Sequence, residues 1–357
     1  MEEHKDMLGM LEMMPQPSFL VRQGIVTLVN QAARQLLIEP QTPVASMLGN
    51  NAEEYEAFES GCLCLTLVLS GCPMQTTITH MEGFDLFAID QSAEQIELKA
   101  MALTASSLRM PLSDMIAIST QLLPSLDQSQ DPQILANLAQ MNCRLNQLHR
   151  IVCNMADAIQ YTNDTPRMYC RDVCAILDEI FERAAVLVSQ AGHELTYCGL
   201  NKAVYTMVEV NRLERAIYNI LSNAMKNAEE SIRIEAKLVQ KNNKLYLSIQ
   251  DTGPGIPSHM LGSVYSRYRR QPGLEPHPTG LGLGMVLVRA AAATHGGTVL
   301  ITQPKGYGTR FTISMEIRME PNANIYSTSH SPDYAGERDH GLLELSDILP
   351  PELYKIN

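Results

Sequence analysis

Asn219-Ile220-Leu221-Ser222-Asn223-Ala224-Met225-Lys226 is the stretch on which the reading of this chain turns. Read as a helix, it sets Asn219, Asn223 and Lys226 on one face, because residues three and four apart are neighbours on a helix surface. Two amides and an ammonium then point into one site. Around it, apolar positions alternate between helical and strand periods. Val173, Ile176, Leu177, Ile180, Phe181, Ala184, Leu187 and Val188 mark a helical face. Strands are predicted at 194–198, 205–210, 232–239, 244–250, 298–302 and 309–316, which gives an α/β sandwich with one sheet covered by helices. Three glycine-rich stretches follow within this segment: Asp251-Thr252-Gly253-Pro254-Gly255-Ile256, Thr279-Gly280-Leu281-Gly282-Leu283-Gly284 and Gly306-Tyr307-Gly308-Thr309. One such stretch says little, since glycine turns are common; their joint order from Asn219 to Thr309 is the signal.

In that order they resemble the N box and the three glycine boxes of sensor histidine kinases, whose ATP-binding domain has the GHKL (Bergerat) fold. The resemblance covers residues 96–318. It implies a Mg-ATP site in which Asn223 ligates Mg²⁺, Asn219 lies by the triphosphate and metal, and Lys226 contacts phosphate. Hard oxygen ligands and a compact cation suit that task. Asp251 would accept from the adenine amino group, with Gly253 and Gly255 letting the backbone approach the base without a Cβ. Thr279, Gly280, Leu281, Gly282, Leu283 and Gly284 would cradle phosphate where a helix from Met285 to His295 begins, since a helix N-terminus favours anions. Thr309 would stand on the adenine side. Between the first two glycine boxes, Ser258 to Pro278 is expected to be a lid. There Val264-Tyr265-Ser266-Arg267-Tyr268-Arg269-Arg270 is similar to the family's Phe-rich box, with Arg270 placed for the γ-phosphate. Topoisomerase II, Hsp90 and mismatch-repair ATPases share the fold but place a general-base Glu where Asn219 stands.

Upstream, Ser106-Ser107-Leu108-Arg109-Met110-Pro111-Leu112 aligns with the phosphoacceptor run of that family, close to His-Glu-Leu-Arg-Thr-Pro-Leu. Ser106 replaces the phosphoacceptor His, Ser107 its acid neighbour and Met110 the Thr. A serine hydroxyl titrates far above neutrality, and a thioether is a poor hydrogen-bond partner. The acceptor and phosphatase chemistries both look lost in cis. A capping pattern at Ser92-Ala93-Glu94-Gln95 opens a helix predicted to reach about Leu123. Its apolar positions 101, 105, 108, 112, 115, 119 and 122 recur at steps of three and four. After Asp131-Pro132, a helix-start signature, a second helix repeats the pattern at 134, 138, 141, 145, 148, 152 and 155. Such a hairpin has a narrow apolar seam, so a homodimeric four-helix bundle is expected. His149 falls just outside the seam and is expected on the surface, while His295 is expected to be structural.

The whole chain reads as multidomain α+β. Residues 1–91 form a PAS-like α/β sensor module, with a hairpin at Arg22-Gln23-Gly24 and a capped helix after Asn30. Residues 92–165 form the dimerisation hairpin and 166–318 the ATP-binding domain. Residues 319–357 form a flexible tail whose amphipathic end, Gly341 to Pro351, is either frayed or a docking peptide. The 357 residues carry a net charge of −12, which argues against a nucleic-acid or acidic-membrane binder. No run nears the ~18 apolar residues of a membrane span, and the mixed-charge opening is not a leader. A cytoplasmic location is expected. The eight cysteines read as reduced thiols. Cys62, Cys64 and Cys72, and Cys170 with Cys174, lack a complete metal quartet and are expected to be structural. Two functions follow from the resemblance. In one, the chain is an ATP-binding signalling scaffold with a degenerate acceptor, working with a response regulator or partner kinase. In the other, it is an active kinase that phosphorylates a His on a partner chain or, less favoured, Ser106 itself.

Overall fold

The computed structural model describes residues 2–81, 83–90, 104–105, 107–119, 132–163, 166–226, 228, 230–256, 283–304, 308–319 and 339–354. The N-terminal module runs α1 (Glu2–Glu12), β1 (Ser18–Arg22), β2 (Ile25–Val29), α2 (Gln31–Gln35), α3 (Ala45–Leu48), α4 (Ala52–Glu56), β3 (Cys62–Leu69), β4 (Cys72–Met81) and β5 (Phe84–Ile89). At the predicted hairpin both Gln23 and Gly24 take positive φ, 50° and 74°, as a two-residue turn matched to strand twist requires. Asn30 caps α2 by accepting from the Ala33 amide at 2.9 Å and also accepts from the Ser18 amide at 3.0 Å. α1 is absent from the sequence reading. It packs Leu11 against Leu20 and Leu28 on one sheet face, while α2, α3 and α4 cover the other over Phe19, Leu63, Ile78 and Phe87.

Residues 104–105 and 107–119 are helical and are counted as α5. They precede α6 (Pro132–Asn163), β6 (Tyr169–Asp172), α7 (Val173–Gln190), β7 (Glu194–Cys198), β8 (Tyr205–Val208), α8 (Val210–Lys226), β9 (Arg233–Lys241) and β10 (Lys244–Asp251). After these come α9 (Gly284–Thr294), β11 (Val299–Thr302), β12 (Arg310–Glu316) and α10 (His340–Glu344), with a final 3-10 turn at Pro351–Tyr354. The C-terminal module is the expected sandwich, with one difference: β8 leaves the main sheet and pairs with β6.

The sheets of the two modules are one sheet. Its order is β2-β1-β5-β4-β3-β11-β12-β10-β9-β7, and the splice is antiparallel, Cys64 opposite Val299, Leu63 opposite Leu300 and Cys62 opposite Ile301. Because side chains alternate across a strand, the cores interlock there. Cys62 and Cys64 lie in the C-terminal core, and Leu300 packs against the N-terminal one. Gly61 makes the approach possible, with φ at +93° and the Ile301 carbonyl where a Cβ would stand. Beside the splice, buried Arg289 of α9 pairs with Asp90 at the end of β5.

The hairpin seam divides into two halves. Ala105, Leu112, Leu138 and Val152 are buried, whereas Leu108, Met115, Ile134, Met141 and Leu148 are exposed. His149, expected on the surface, is buried at 7% exposure, because α6 lies against the C-terminal module and not only against α5. The end of the tail is docked on the chain's own body. Leu345, Leu349 and Tyr354 join the C-terminal core, the Tyr354 carbonyl accepts from Asn142 at 3.2 Å, and the Ser346 carbonyl accepts from Gln147 at 2.8 Å.

Candidate functional site

α8 is buried almost throughout, polar residues included, so its polar stripe of Arg215, Asn219, Ser222 and Lys226 is held in place by packing. Asn219 is 1% exposed, and its amide nitrogen donates to the Arg215 carbonyl at 2.8 Å. That bond turns the side-chain oxygen toward the start of α9, where a Cβ on Gly284 would lie 2.5 Å from it. The N-box residue and the last glycine of the second glycine box therefore touch. Asn223 is half-buried on the same helix face.

Asp251 ends β10, and its Oδ1 accepts from the amides of Gly253 at 2.8 Å and Thr309 at 3.2 Å. Burial pushes this carboxyl up from its usual range, and the two amide hydrogen bonds oppose the shift. Gly253 and Gly308 face each other across the carboxylate, and a Cβ on Gly308 would fall on Asp251 Oδ1 and the Gly253 backbone. Gly255 takes φ +78°. Asp251, Gly253, Gly255 and Thr309 are thus brought together as the motif order predicts, and Asn219 meets Gly284. Leu283 caps α9 with its side chain packed on Ala158 of α6, so only its backbone is placed for a ligand. Ser106, Arg270, Thr279, Gly280, Leu281 and Gly282 lie outside the described residues. Ser107 is exposed and donates to the Thr104 carbonyl at 2.7 Å, and Met110 is exposed.

His295 is a framework residue. One ring nitrogen accepts from the Glu209 amide at 3.1 Å and the other lies 2.7 Å from the Ala291 carbonyl. Desolvation lowers its pKa to about 4, so the ring stays neutral near pH 7.

The sequence reading misses a charge network along the α8 stripe. Arg109 of α5 and Arg215 of α8 both pair with Asp157 of α6. Arg215 also binds Asn154 at 2.5 Å and Glu344 of α10 at 2.9 Å. Arg150 of α6 spans Glu344 at 3.1 Å, Asp347 at 2.5 Å and the Ser222 hydroxyl at 3.3 Å. Asp347 then meets Lys226 at 2.5 Å. The signal in the sequence was available. Arg215 stands one turn before Asn219, and Glu344 and Asp347 are three apart in an otherwise apolar segment.

Residues 208–319 match the family described as histidine kinase-, DNA gyrase B- and HSP90-like ATPases. Among curated proteins, the signal transduction histidine-protein kinase AfsQ2 of Streptomyces coelicolor is 23% identical over 240 residues, 65% of this chain and 44% of its own length. The sensor protein KdpD of Mycobacterium tuberculosis is 26% identical over 232 residues, 62% of this chain and 26% of its own. Residues 208–319 thus form a GHKL-type ATPase domain, and over about two thirds of its length the chain is similar to sensor histidine kinases. It spans less than half the length of these two sensor kinases. A solved structure described as full-length ShkA in complex with AMPPNP overlays with a TM-score of 0.48 at 17% identity, covering 63% of this chain and 47% of that one. Among the described residues, no helix of this sensor kinase relative is long and apolar enough to cross a membrane.

Proposed function

We propose that residues 166–318 bind Mg-ATP and that the chain is a signalling protein whose output is nucleotide occupancy and dimer geometry, without a phosphohistidine of its own. The single observation that carries this is the Asp251 carboxylate, buried, aimed by the Gly253 and Thr309 amides and walled by glycines at positions where a Cβ would collide with it. A buried acceptor fixed in this way suits an exocyclic amine donor. Asn219 and Asn223 would hold the metal and phosphate end, with Asn223 as a Mg²⁺ ligand, and Lys226 would supply the cation. The metal-nucleotide, when bound, supplies a transferable γ-phosphoryl group. In this chain the acceptor position is Ser106, flanked by Ser107 and Met110, and neither neighbour serves as a base.

Homodimerisation rests on the exposed apolar residues of the hairpin. Leu108 and Met115 on α5, and Ile134, Met141 and Leu148 on α6, are each seven apart, the spacing of a helical seam that awaits a second copy. Residues 1–91 would be the PAS-like sensor module, and the response regulator or partner kinase is a protein of the same signalling class. The eight free thiols suit the reducing cytoplasm.

Titration calorimetry of the full chain with Mg-ATP tests the reading. Binding in the micromolar range is expected, lost at least tenfold in Asp251→Asn and weakened in Asn223→Ala. No heat at millimolar nucleotide would overturn it. The preserved N box also favours a second reading, a kinase acting on a partner's His. Acid-labile label from γ-labelled ATP on a partner chain would select that reading, and acid-stable label lost in Ser106→Ala would select self-phosphorylation.

A further inference from the structure

Residues 339–354 lie in the groove between α6 and α8, and their seating is specific. Asp339 caps α10 by accepting from the Gly341 and Leu342 amides. Gly341 is pressed so close to Leu187 and Tyr218 that a side chain would clash with both. The Tyr354 hydroxyl closes the turn by donating to the Leu342 carbonyl at 2.7 Å. This packing delivers two carboxylates three residues apart into a cluster of cations. Glu344, fully buried, takes Arg150 and Arg215. Asp347, 9% exposed at its side chain, bridges Arg150 and Lys226 through one oxygen, 2.5 Å from each.

We propose that this segment is an intrachain acidic ligand of the nucleotide site, with Asp347 holding the ammonium of Lys226 that a polyphosphate would otherwise take. The proposal rests on the nucleotide reading above. Lys226 shares a helix face with Asn219 and Asn223 and ends the polar stripe that meets the glycine boxes. An ammonium bound to a carboxylate at 2.5 Å is already neutralised, and a phosphate oxygen arriving beside it meets the like charge of Asp347. Charge counting gives the same direction. With the tail seated, Arg109, Arg150, Arg215 and Lys226 face Asp157, Glu344 and Asp347, four cations to three carboxylates. Withdrawing the tail removes Glu344 and Asp347, two of the three carboxylates in these pairs. Largely buried cations do not stay uncompensated, so the tail and a polyphosphate are alternative counterions for the same corner. Two-way linkage follows: nucleotide loosens the tail, and the tail weakens the nucleotide.

The test compares the full-length chain with its Asp347→Asn variant, which keeps the size of the side chain and removes its charge. Mg-ATP should bind the variant about tenfold more tightly than the natural chain, within the usual range of coupling between sites. Adenosine, which carries no phosphate, should bind both equally. In a Lys226→Met background the effect of Asp347→Asn should shrink severalfold, leaving only the part that acts through Arg150. Hydrogen exchange on the natural chain gives an independent readout, because saturating Mg-ATP should speed exchange at residues 340–349. Equal Mg-ATP affinities, or tail protection unchanged at saturation, would overturn the competition while leaving the nucleotide reading intact. No binding to either form would overturn both. Binding to the variant alone would support both.

Discussion

Where β3 meets β11 the two modules are joined by backbone, and where α6 and the tail meet α8 a network of charge is added to apolar packing. The first seam sets three residue pairs in antiparallel register, and two ion pairs also join its modules, Arg289 with Asp90 and Lys244 with Glu54. The second links α5, α6, α8 and the tail through a network that includes six Arg or Lys ion pairs. A ladder of amides is committed to its register, since a one-residue slip would send Cys62 and Leu63 to the wrong cores. A cluster of charges is not committed in that way, because a carboxylate can give up its place to another anion. The contrast teaches that one joint fixes the modules together and the other can answer to a ligand.

The comparison breaks most decisively at Arg215. Replacing it by Met leaves Asp157 and Glu344, 1% and 0% exposed at their side chains, short of a buried cation. A loss of about 4 kcal/mol in denaturant unfolding is expected, and a loss below about 1 kcal/mol would mean that charge does not hold this joint. Gly61→Val attacks the other seam, where both the positive φ and the Ile301 carbonyl oppose a side chain. About 3 kcal/mol is expected from strain and overpacking. Hydrogen exchange should show β3 and β11 losing protection while β9 and β10 keep theirs. Equal protection in all four strands would remove the distinction. The smallest effect belongs to Asp90→Asn, which deletes the charge pair beside the β3–β11 splice. Asp90 is 36% exposed at its side chain, so about 1 kcal/mol is expected, read as a small fall in Tm. A larger loss than that of Gly61→Val would show the first seam to be ionic as well.

The sequence carried the C-terminal module well, for a physical reason. α7 and α8 bury long apolar faces whose period is visible, and Asp251 with its glycines must be local in sequence because a turn is local. The hairpin pattern was legible in the same way, but which half of its seam faces inward was not. Leu138 and Leu148 look alike in the sequence, and only the presence of the C-terminal module beside α6 separates them. The same ignorance of neighbours put His149 on the surface. α1 gave little signal because a short helix such as this is stabilised mainly by what it packs on. The β3–β11 splice was beyond reach, since nothing local in Leu63 or Leu300 says that they meet. Periodicity reports which face is buried and is silent about the partner.

The ten-strand continuity also bears on how the chain is made. β3 is synthesised long before β11 exists to cover it, and through that interval an apolar strand, Cys62 to Leu69, presents unpaired amides and carbonyls. Such an edge is a template for adding a foreign strand. A nascent or truncated N-terminal module should therefore be prone to clumping, and completion of the C-terminal half is what makes it safe.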